Sequence, residues 1–102
     1  MLELRPNCEN CGTPLPPASK NAMICSFECT FCRTCVDDVL ENVCPNCGGG
    51  FEPRPVRPAN DWKSGAFLGN FPASLKPHLQ LVDLAAHKEL RARIGDRAPE
   101  DR

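Results

Sequence analysis

The cysteines are the residues of this sequence with the clearest capacity for chemistry. All 8 Cys of the 102 residues lie in the first half, and the second half has none. Two cysteines separated by two residues can direct both thiolates at one ion from a tight turn, and a following glycine supplies the unusual φ of that turn. The spacing is Cys8-x2-Cys11-x13-Cys25-x3-Cys29-x2-Cys32-x2-Cys35-x8-Cys44-x2-Cys47. This pattern predicts that all eight thiols are metal ligands.

The thiolate ligands also indicate which metal binds and why. Thiolates favour zinc, with iron next, over harder cations. With no histidine near the cysteines, each site must use four cysteines, and such a closed site has no open position at which water is activated. We therefore predict two structural Zn²⁺ ions, no catalytic residues and no enzymatic activity. An iron–sulfur cluster is an alternative, because the inner run of cysteines from Cys25 to Cys35 is close to a cluster spacing read in reverse.

A disulfide framework is the competing use of eight cysteines. The residues before Cys8 contain no apolar run of signal-peptide length. We therefore expect a cytoplasmic chain, in which thiols stay reduced and paired cysteines bind metal more often than they bind each other. No stretch reaches the roughly 18 apolar residues of a membrane span, so we expect no membrane contact.

The first half is too poor in large apolar side chains to fold on its own core. Small domains of this kind usually depend on disulfides or metal. Each structural zinc contributes on the order of 10–16 kcal/mol of apparent binding free energy to folding. We predict that the metal-free module is unfolded.

The eight ligands can be divided between two ions in more than one way. A nested division gives the two outer pairs to one ion and Cys25, Cys29, Cys32 and Cys35 to the other. A cross-brace gives Cys8, Cys11, Cys32 and Cys35 to one ion and Cys25, Cys29, Cys44 and Cys47 to the other. Spacing alone leaves both divisions open.

The segment from Ile24 to Val36 (ICSFECTFCRTCV), followed by Cys44-Pro45-Asn46-Cys47, resembles the core of the RING finger. The resemblance implies a small zinc-stabilised α+β fold with a cross-brace, a short β-hairpin over Met23 to Phe31 and one short helix at about residues 34–42. RING fingers usually have histidine as the fourth ligand, where this chain has Cys29.

Ubiquitin-ligase RINGs bind the conjugating enzyme through three positions of which this chain keeps little. An apolar residue between the first two ligands is replaced by Glu9 and Asn10, and a cation after the last ligand is replaced by Gly48. The apolar helix position is retained as Val39. The resemblance therefore implies the fold more strongly than it implies ligase activity.

Residues 3–58 also resemble a small bacterial family of uncharacterised cysteine-rich domains. The shared patterns are LRPNC, MICSFECTFC, NVCPNCGGGF and PRP. This resemblance implies zinc binding in a bacterial cytosol and supplies no activity.

Three further segments follow the zinc module of residues 1–52. Residues 53–73 hold closely spaced prolines and then aromatic residues, which predicts an extended strap and a loop, or a proline motif for a partner domain. Residues 74–95 are predicted as an amphipathic helix with Ser74 as N-cap and Gly95 as its end. Residues 96–102 are expected to be disordered.

The predicted helix has one apolar face. The residues that form it are Leu75, Leu79, Val82, Ala86, Leu90 and Ile94. Two interpretations are open: the face packs on the zinc module together with Trp62, Phe67 and Phe71, or residues 75–94 bind another protein or a second copy of the chain. His78 and His87 fall off the face and are expected to be solvated.

Charge separates the two halves and limits the functions. Residues 1–52 carry 3 basic and 7 acidic side chains, and residues 53–102 carry 9 and 6. Two zinc ions with eight thiolates make the first half still more negative, which disfavours nucleic acid. The leading hypothesis is a protein-interaction module, with a RING-type ubiquitin-ligase-like effector and a nucleic-acid-binding regulatory protein as alternatives.

Overall fold

The structure is a computed structural model and describes residues 1–102. Three short antiparallel strands form one sheet, in which β1 (Ala22–Ile24) lies between β2 (Thr30–Cys32) and β3 (Glu52–Pro53). Met23 pairs with Phe31 in β2, which confirms the predicted hairpin. Sequence analysis did not predict β3, which begins the strap and pairs with the other edge of β1. Pro53 is tolerated there because β3 is an edge strand.

A short helix follows β2 and lies within the predicted range. It spans Cys35–Leu40 with π-helical hydrogen bonding, and Glu41 ends it in the left-handed region at φ 48°. Asn42 continues that turn at φ 59°, which directs the chain back toward the last cysteine pair.

The core consists largely of thiols. Six of the 13 residues in the buried cluster are cysteines. Its largest contact is between Phe31 and Phe51, whose rings meet edge to face with centroids 5.5 Å apart. A core with so few apolar side chains offers little hydrophobic stabilisation.

Arg54 fixes the strap to the module. Its side chain is 4% exposed, and its guanidinium donates to the carbonyl oxygens of Arg5 (2.9 Å), Leu15 (3.2 Å) and Pro16 (3.0 Å). Arg57 donates to the carbonyls of Leu2 and Phe71. These contacts hold the strap against the module. Since Arg54 is buried, it is not free to act in a proline motif read by a partner.

The C-terminal arm, residues 74–94, contains a shorter helix than predicted. The helix spans Leu84–Ile94, and Asp83, not Ser74, is its N-cap, accepting a hydrogen bond from the Ala86 N–H. Gly95 ends the helix as predicted. Residues 74–82 form no helix or strand, because four of their N–H groups donate to the cysteine-rich module instead of to a helical turn. The four donations are Ser74 to Leu4 O (3.0 Å), His78 to Asn7 Oδ1 (3.3 Å), Gln80 to Glu9 O (2.7 Å) and Val82 to Asn10 Oδ1 (3.0 Å).

The predicted apolar face is therefore only partly correct. Leu75 is 94% exposed and Leu79 is 65% exposed, because the non-helical backbone breaks the helical periodicity before Asp83. Val82 packs against the core, and Leu90 and Ile94 lie against Gly48.

Both histidines contact the module, so the expectation that they are solvated is wrong. His87 is 3% exposed, and its Nε2 lies 2.8 Å from the carbonyl oxygen of Val43. His78 is partly buried, with Nε2 3.5 Å from Glu3 Oε2. The shorter helix places His87 on the face that packs.

Two other expectations for the second half also differ from the structure. Trp62 is 81% exposed and does not pack on the module. Residues 96–102 are not disordered: a 3₁₀ turn spans Pro99–Asp101, and the Arg102 guanidinium donates to the carbonyls of Asn42 and Gly48. None of the helices is long and apolar enough to cross a bilayer.

Candidate metal centres

The first cluster joins four cysteines from two distant parts of the chain. The thiols of Cys8, Cys11, Cys32 and Cys35 all lie within 4.8 Å of one another. The Sγ atoms of Cys11 and Cys32 are 3.7 Å apart. Four sulfurs about 2.3 Å from a central zinc form a tetrahedron whose edges measure about 3.8 Å. The separation of these sulfurs thus fits a zinc ion.

Local turns aim these thiols inward. The first knuckle, residues 8–12, closes with a hydrogen bond from Gly12 N to Cys8 O (3.0 Å), and Gly12 adopts φ 77°. The other two ligands lie at the end of β2 and the start of the short helix, where Cys35 N donates to Cys32 Sγ. The hairpin and the helix thus bring the second pair to the first.

The second cluster contains three thiols within the same limit and a fourth beside them. Cys25, Cys44 and Cys47 lie within 4.8 Å of one another. Cys29 is outside that group, so the structure assembles three of the four predicted ligands of this site. Cys29 nevertheless lies near, because its backbone O accepts from Cys25 N and its Sγ accepts from Asn46 Nδ2 in the second knuckle (3.3 Å).

The second knuckle, residues 44–48, repeats the geometry of the first. Gly48 adopts φ 78°, and its N–H donates to Cys44 O (2.8 Å). In each knuckle the first cysteine N–H donates to a carbonyl beyond the turn, Thr13 O in one and Gly49 O in the other. Two copies of one metal-binding turn therefore face the two clusters.

Asn10 and Asn46 occupy equivalent places in the knuckles and donate to sulfur in the same way. Asn10 Nδ2 lies 3.5 Å from Cys35 Sγ, just as Asn46 Nδ2 lies 3.3 Å from Cys29 Sγ. Asn10 thus donates to the cysteine pair opposite the first knuckle, and Asn46 donates to the cysteine pair opposite the second knuckle. Sequence analysis missed both, although the repeated Asn-Cys-Gly of the two knuckles was a signal for them.

Burial and hydrogen bonding shift the thiol pKa values in opposite directions. Burial raises the pKa of Cys35 to about 12 and also raises those of Cys29, Cys32 and Cys44. The exposed Cys11 has its pKa lowered to about 6, mainly by the hydrogen bond from Thr13. Packed thiols resist ionisation unless a cation compensates the charge, and a coordinated metal supplies that compensation.

The Glu9 side chain is buried and makes hydrogen bonds within the chain. Its side chain accepts from Arg5 Nη1 (2.9 Å) and from the backbone N–H of Thr30 in β2. Its backbone pairs with Thr30 O and with Gln80 N of the arm. The first knuckle is thereby fixed between the sheet and the arm.

Comparisons with known proteins give one family model and one curated relative, both without a known function. A family model described as "Protein of unknown function (DUF1272)" matches residues 1–57. An uncharacterized protein of Rhizobium meliloti (strain 1021) is 54% identical over 81 residues, which cover 76% of this chain and 89% of that protein. No solved structure matches the chain. The match to the Rhizobium protein is longer than the family region, so it includes residues outside the zinc module.

Proposed function

The chain belongs to the DUF1272 family, and from its thiol geometry we propose that it is a two-zinc protein-interaction module without catalytic activity of its own. The observation that carries the proposal is the first cluster. Its four thiols lie within 4.8 Å of one another, and the Sγ atoms of Cys11 and Cys32 are 3.7 Å apart. Cys8, Cys11, Cys32 and Cys35 would hold one ion. Cys25, Cys29, Cys44 and Cys47 would hold the other.

The cross-brace is the ligand division that this geometry supports best. The first cluster combines a pair from the first knuckle with the pair after the hairpin, and the nested division would separate them. Cys29 is assigned to the second ion because Asn46 donates to it as Asn10 donates to Cys35. Outer hydrogen bonds of this kind orient ligands around a bound metal.

Cadmium substitution tests the cross-brace directly. We expect the ¹¹³Cd-loaded protein to show two resonances, each coupled to the β-protons of four cysteines in the divisions given above. Coupling of Cys8 and Cys11 to the same ion as Cys44 and Cys47 would support the nested division instead. The zinc-loaded protein, compared by its amide spectrum, controls for changes caused by cadmium.

The interaction role is supported by the outer side of the arm. Four leucines there are exposed: Leu75 (94%), Leu79 (65%), Leu81 (77%) and Leu84 (65%). Closely spaced apolar side chains facing water are typical of surfaces that bind a protein. The helical part of the arm is not the free surface, since His87, Leu90 and Ile94 contact the module.

Sedimentation and pull-down test the interaction role. We expect either self-association or a retained protein partner, and we expect the double variant Leu81→Ser and Leu84→Ser to lose it. Lys88→Ser, an exposed change on the same arm, is the control. The role would be contradicted if the parent, the double variant and the control were all monomeric and all retained no partner.

The ligase alternative has less support. The position that would be apolar in a ubiquitin-ligase RING is Glu9, which is 8% exposed and bonded to Arg5 and Thr30. The position that would be a cation is Gly48, which lies under Leu90 and Ile94. Both positions are covered or occupied within the chain, so a ubiquitin discharge assay is expected to show no activity.

A further inference from the structure

Asn10 connects the first cluster to the C-terminal arm. Its Nδ2 donates to Cys35 Sγ (3.5 Å), and its Oδ1 accepts from the backbone N–H of Val82 (3.0 Å). A backbone N–H can only donate, so the amide oxygen must face Val82, which leaves the amide nitrogen for the sulfur. One planar group therefore contacts a metal ligand on one side and the arm on the other.

Asn46 provides an internal comparison. It holds the equivalent place in the second knuckle, and its Nδ2 donates to Cys29 Sγ in the same way. Its side chain has no hydrogen bond to the arm. The two knuckles thus share the bond to sulfur, and only the first shares its amide with the arm.

The non-helical part of the arm contacts the first knuckle at two further points. Gln80 N donates to Glu9 O (2.7 Å). Leu79 Cδ1 lies 3.7 Å from the place where a β-carbon on Gly12 would be, so the arm packs directly on this turn. The surface that receives the arm is therefore the same turn that carries Cys8 and Cys11, two of the thiols in the first cluster.

We propose that the C-terminal arm is a latch on the first zinc site and that Asn10 is the positioning residue that transmits its effect. The proposal rests on the proposed function, because it requires zinc held by Cys8, Cys11, Cys32 and Cys35. The docked arm keeps the Asn10 amide oriented toward the Cys35 thiolate, and release of the arm frees the amide and speeds zinc loss. By thermodynamic linkage, zinc strengthens docking of the arm by the factor by which the arm strengthens zinc binding.

A double-mutant cycle in the full-length chain tests the latch. Asn10→Ala removes the amide, and Val82→Pro removes the arm N–H at a position outside every helix and strand. Zinc release into an excess of chromogenic chelator is followed for each variant. The zinc content before chelation, together with exchange of the Arg54 amide, which donates to the Ala22 carbonyl at the sheet edge, shows whether the module of each variant is folded.

The expected result is non-additive release from the first site. Loss of an outer hydrogen bond to a metal ligand changes metal affinity by about tenfold or more, so we expect Asn10→Ala to speed one release phase by about that factor. Val82→Pro speeds the same phase by about threefold to fivefold on the same reasoning, because it frees the amide without removing it. The double variant releases zinc no faster than Asn10→Ala alone, since no amide remains for the arm to orient.

Asn46→Ala is the matched control. It is expected to speed the other release phase and to leave exchange of the Val82 amide unchanged, whereas Asn10→Ala speeds exchange of that amide. In the double variant Asn46→Ala and Val82→Pro, one release phase has the rate of Asn46→Ala alone and the other has the rate of Val82→Pro alone.

Two results would overturn the latch. If Val82→Pro leaves both release phases unchanged, or if its effect multiplies fully with that of Asn10→Ala, the arm does not act through Asn10. If the purified chain holds no zinc in any variant, the proposed function fails and the latch fails with it, so the two failures are distinguishable.

Discussion

At the residue scale, two kinds of side chain shape the candidate site: the cysteines of the two clusters and the residues that hydrogen-bond between distant parts of the chain. The spacing of thiols and glycines follows from the geometry of a metal-binding turn, which is local in sequence. Asn10, Asn46 and His87 act through contacts with residues that are distant in sequence, so no local pattern assigns their partners. The expectation that His87 is solvated was wrong because it depended on a helix that begins later than predicted.

His87 is expected to stabilise the docked helix through the carbonyl of Val43. His87→Leu fills similar space but leaves that buried oxygen without a donor, which costs about 1–3 kcal/mol of unfolding free energy. His87→Gln retains a donor and is expected to lose less. Denaturant unfolding of the zinc-loaded protein measures both, with exposed Lys88→Leu as the control. Equal stability of His87→Leu and the parent would contradict the contact.

Arg54 is expected to be the principal anchor of the strap. Arg54→Met keeps much of the aliphatic volume but leaves the carbonyls of Arg5 and Leu15 without a donor, while the Pro16 carbonyl keeps the Ser19 N–H, so we expect a loss of about 2–4 kcal/mol. Arg57→Met, which removes a more exposed arginine with two carbonyl contacts, is expected to cost about 1 kcal/mol. Unfolding midpoints at fixed zinc concentration compare the two. A larger loss for Arg57→Met would show that the strap is fixed elsewhere.

At the element scale, the hairpin, the short helix and the end of the C-terminal helix were predicted, and the start of that helix was not. Local propensity favours a helix from Ser74, yet the N–H groups of residues 74–82 have better acceptors on the zinc module. The strand β3 was missed for the same reason, since residues 52–53 become a strand only beside β1. Elements that depend on tertiary hydrogen bonds are not encoded in local periodicity.

The two knuckle glycines give a matched test of how the arm docks. Gly12 and Gly48 have nearly equal φ values of 77° and 78°, so Gly→Ala costs each knuckle about 1–2 kcal/mol of backbone strain. At Gly48 the new methyl also lies 3.3 Å from Ile94 Cδ1, whereas at Gly12 the nearest arm atom is 3.7 Å away. We expect Gly48→Ala to be the less stable variant and to speed amide exchange in residues 84–94. Equal stability and equal exchange would mean that the helix does not press on the second knuckle.

At the scale of the whole molecule, the fold depends on thiols that packing alone does not stabilise. Cysteines make up nearly half of the buried cluster, and burial raises the pKa of several of them. The arm attaches to this module at the knuckles, and the strap attaches at the sheet edge. The C-terminal tail attaches at the second knuckle through Arg102. The cysteine spacing indicated possible metal-binding groups, but the way in which the second half packs on the first could not be read from the sequence.

Under the proposed function, two zinc ions hold this fold together. The most direct test is the mass of the full-length chain under native conditions, read together with its charge-state distribution before and after chelation. We expect two zinc ions per chain in a compact form, and an unfolded charge-state distribution once both are removed. A compact chain without metal, a chain with four disulfides, or a chain carrying iron would contradict it.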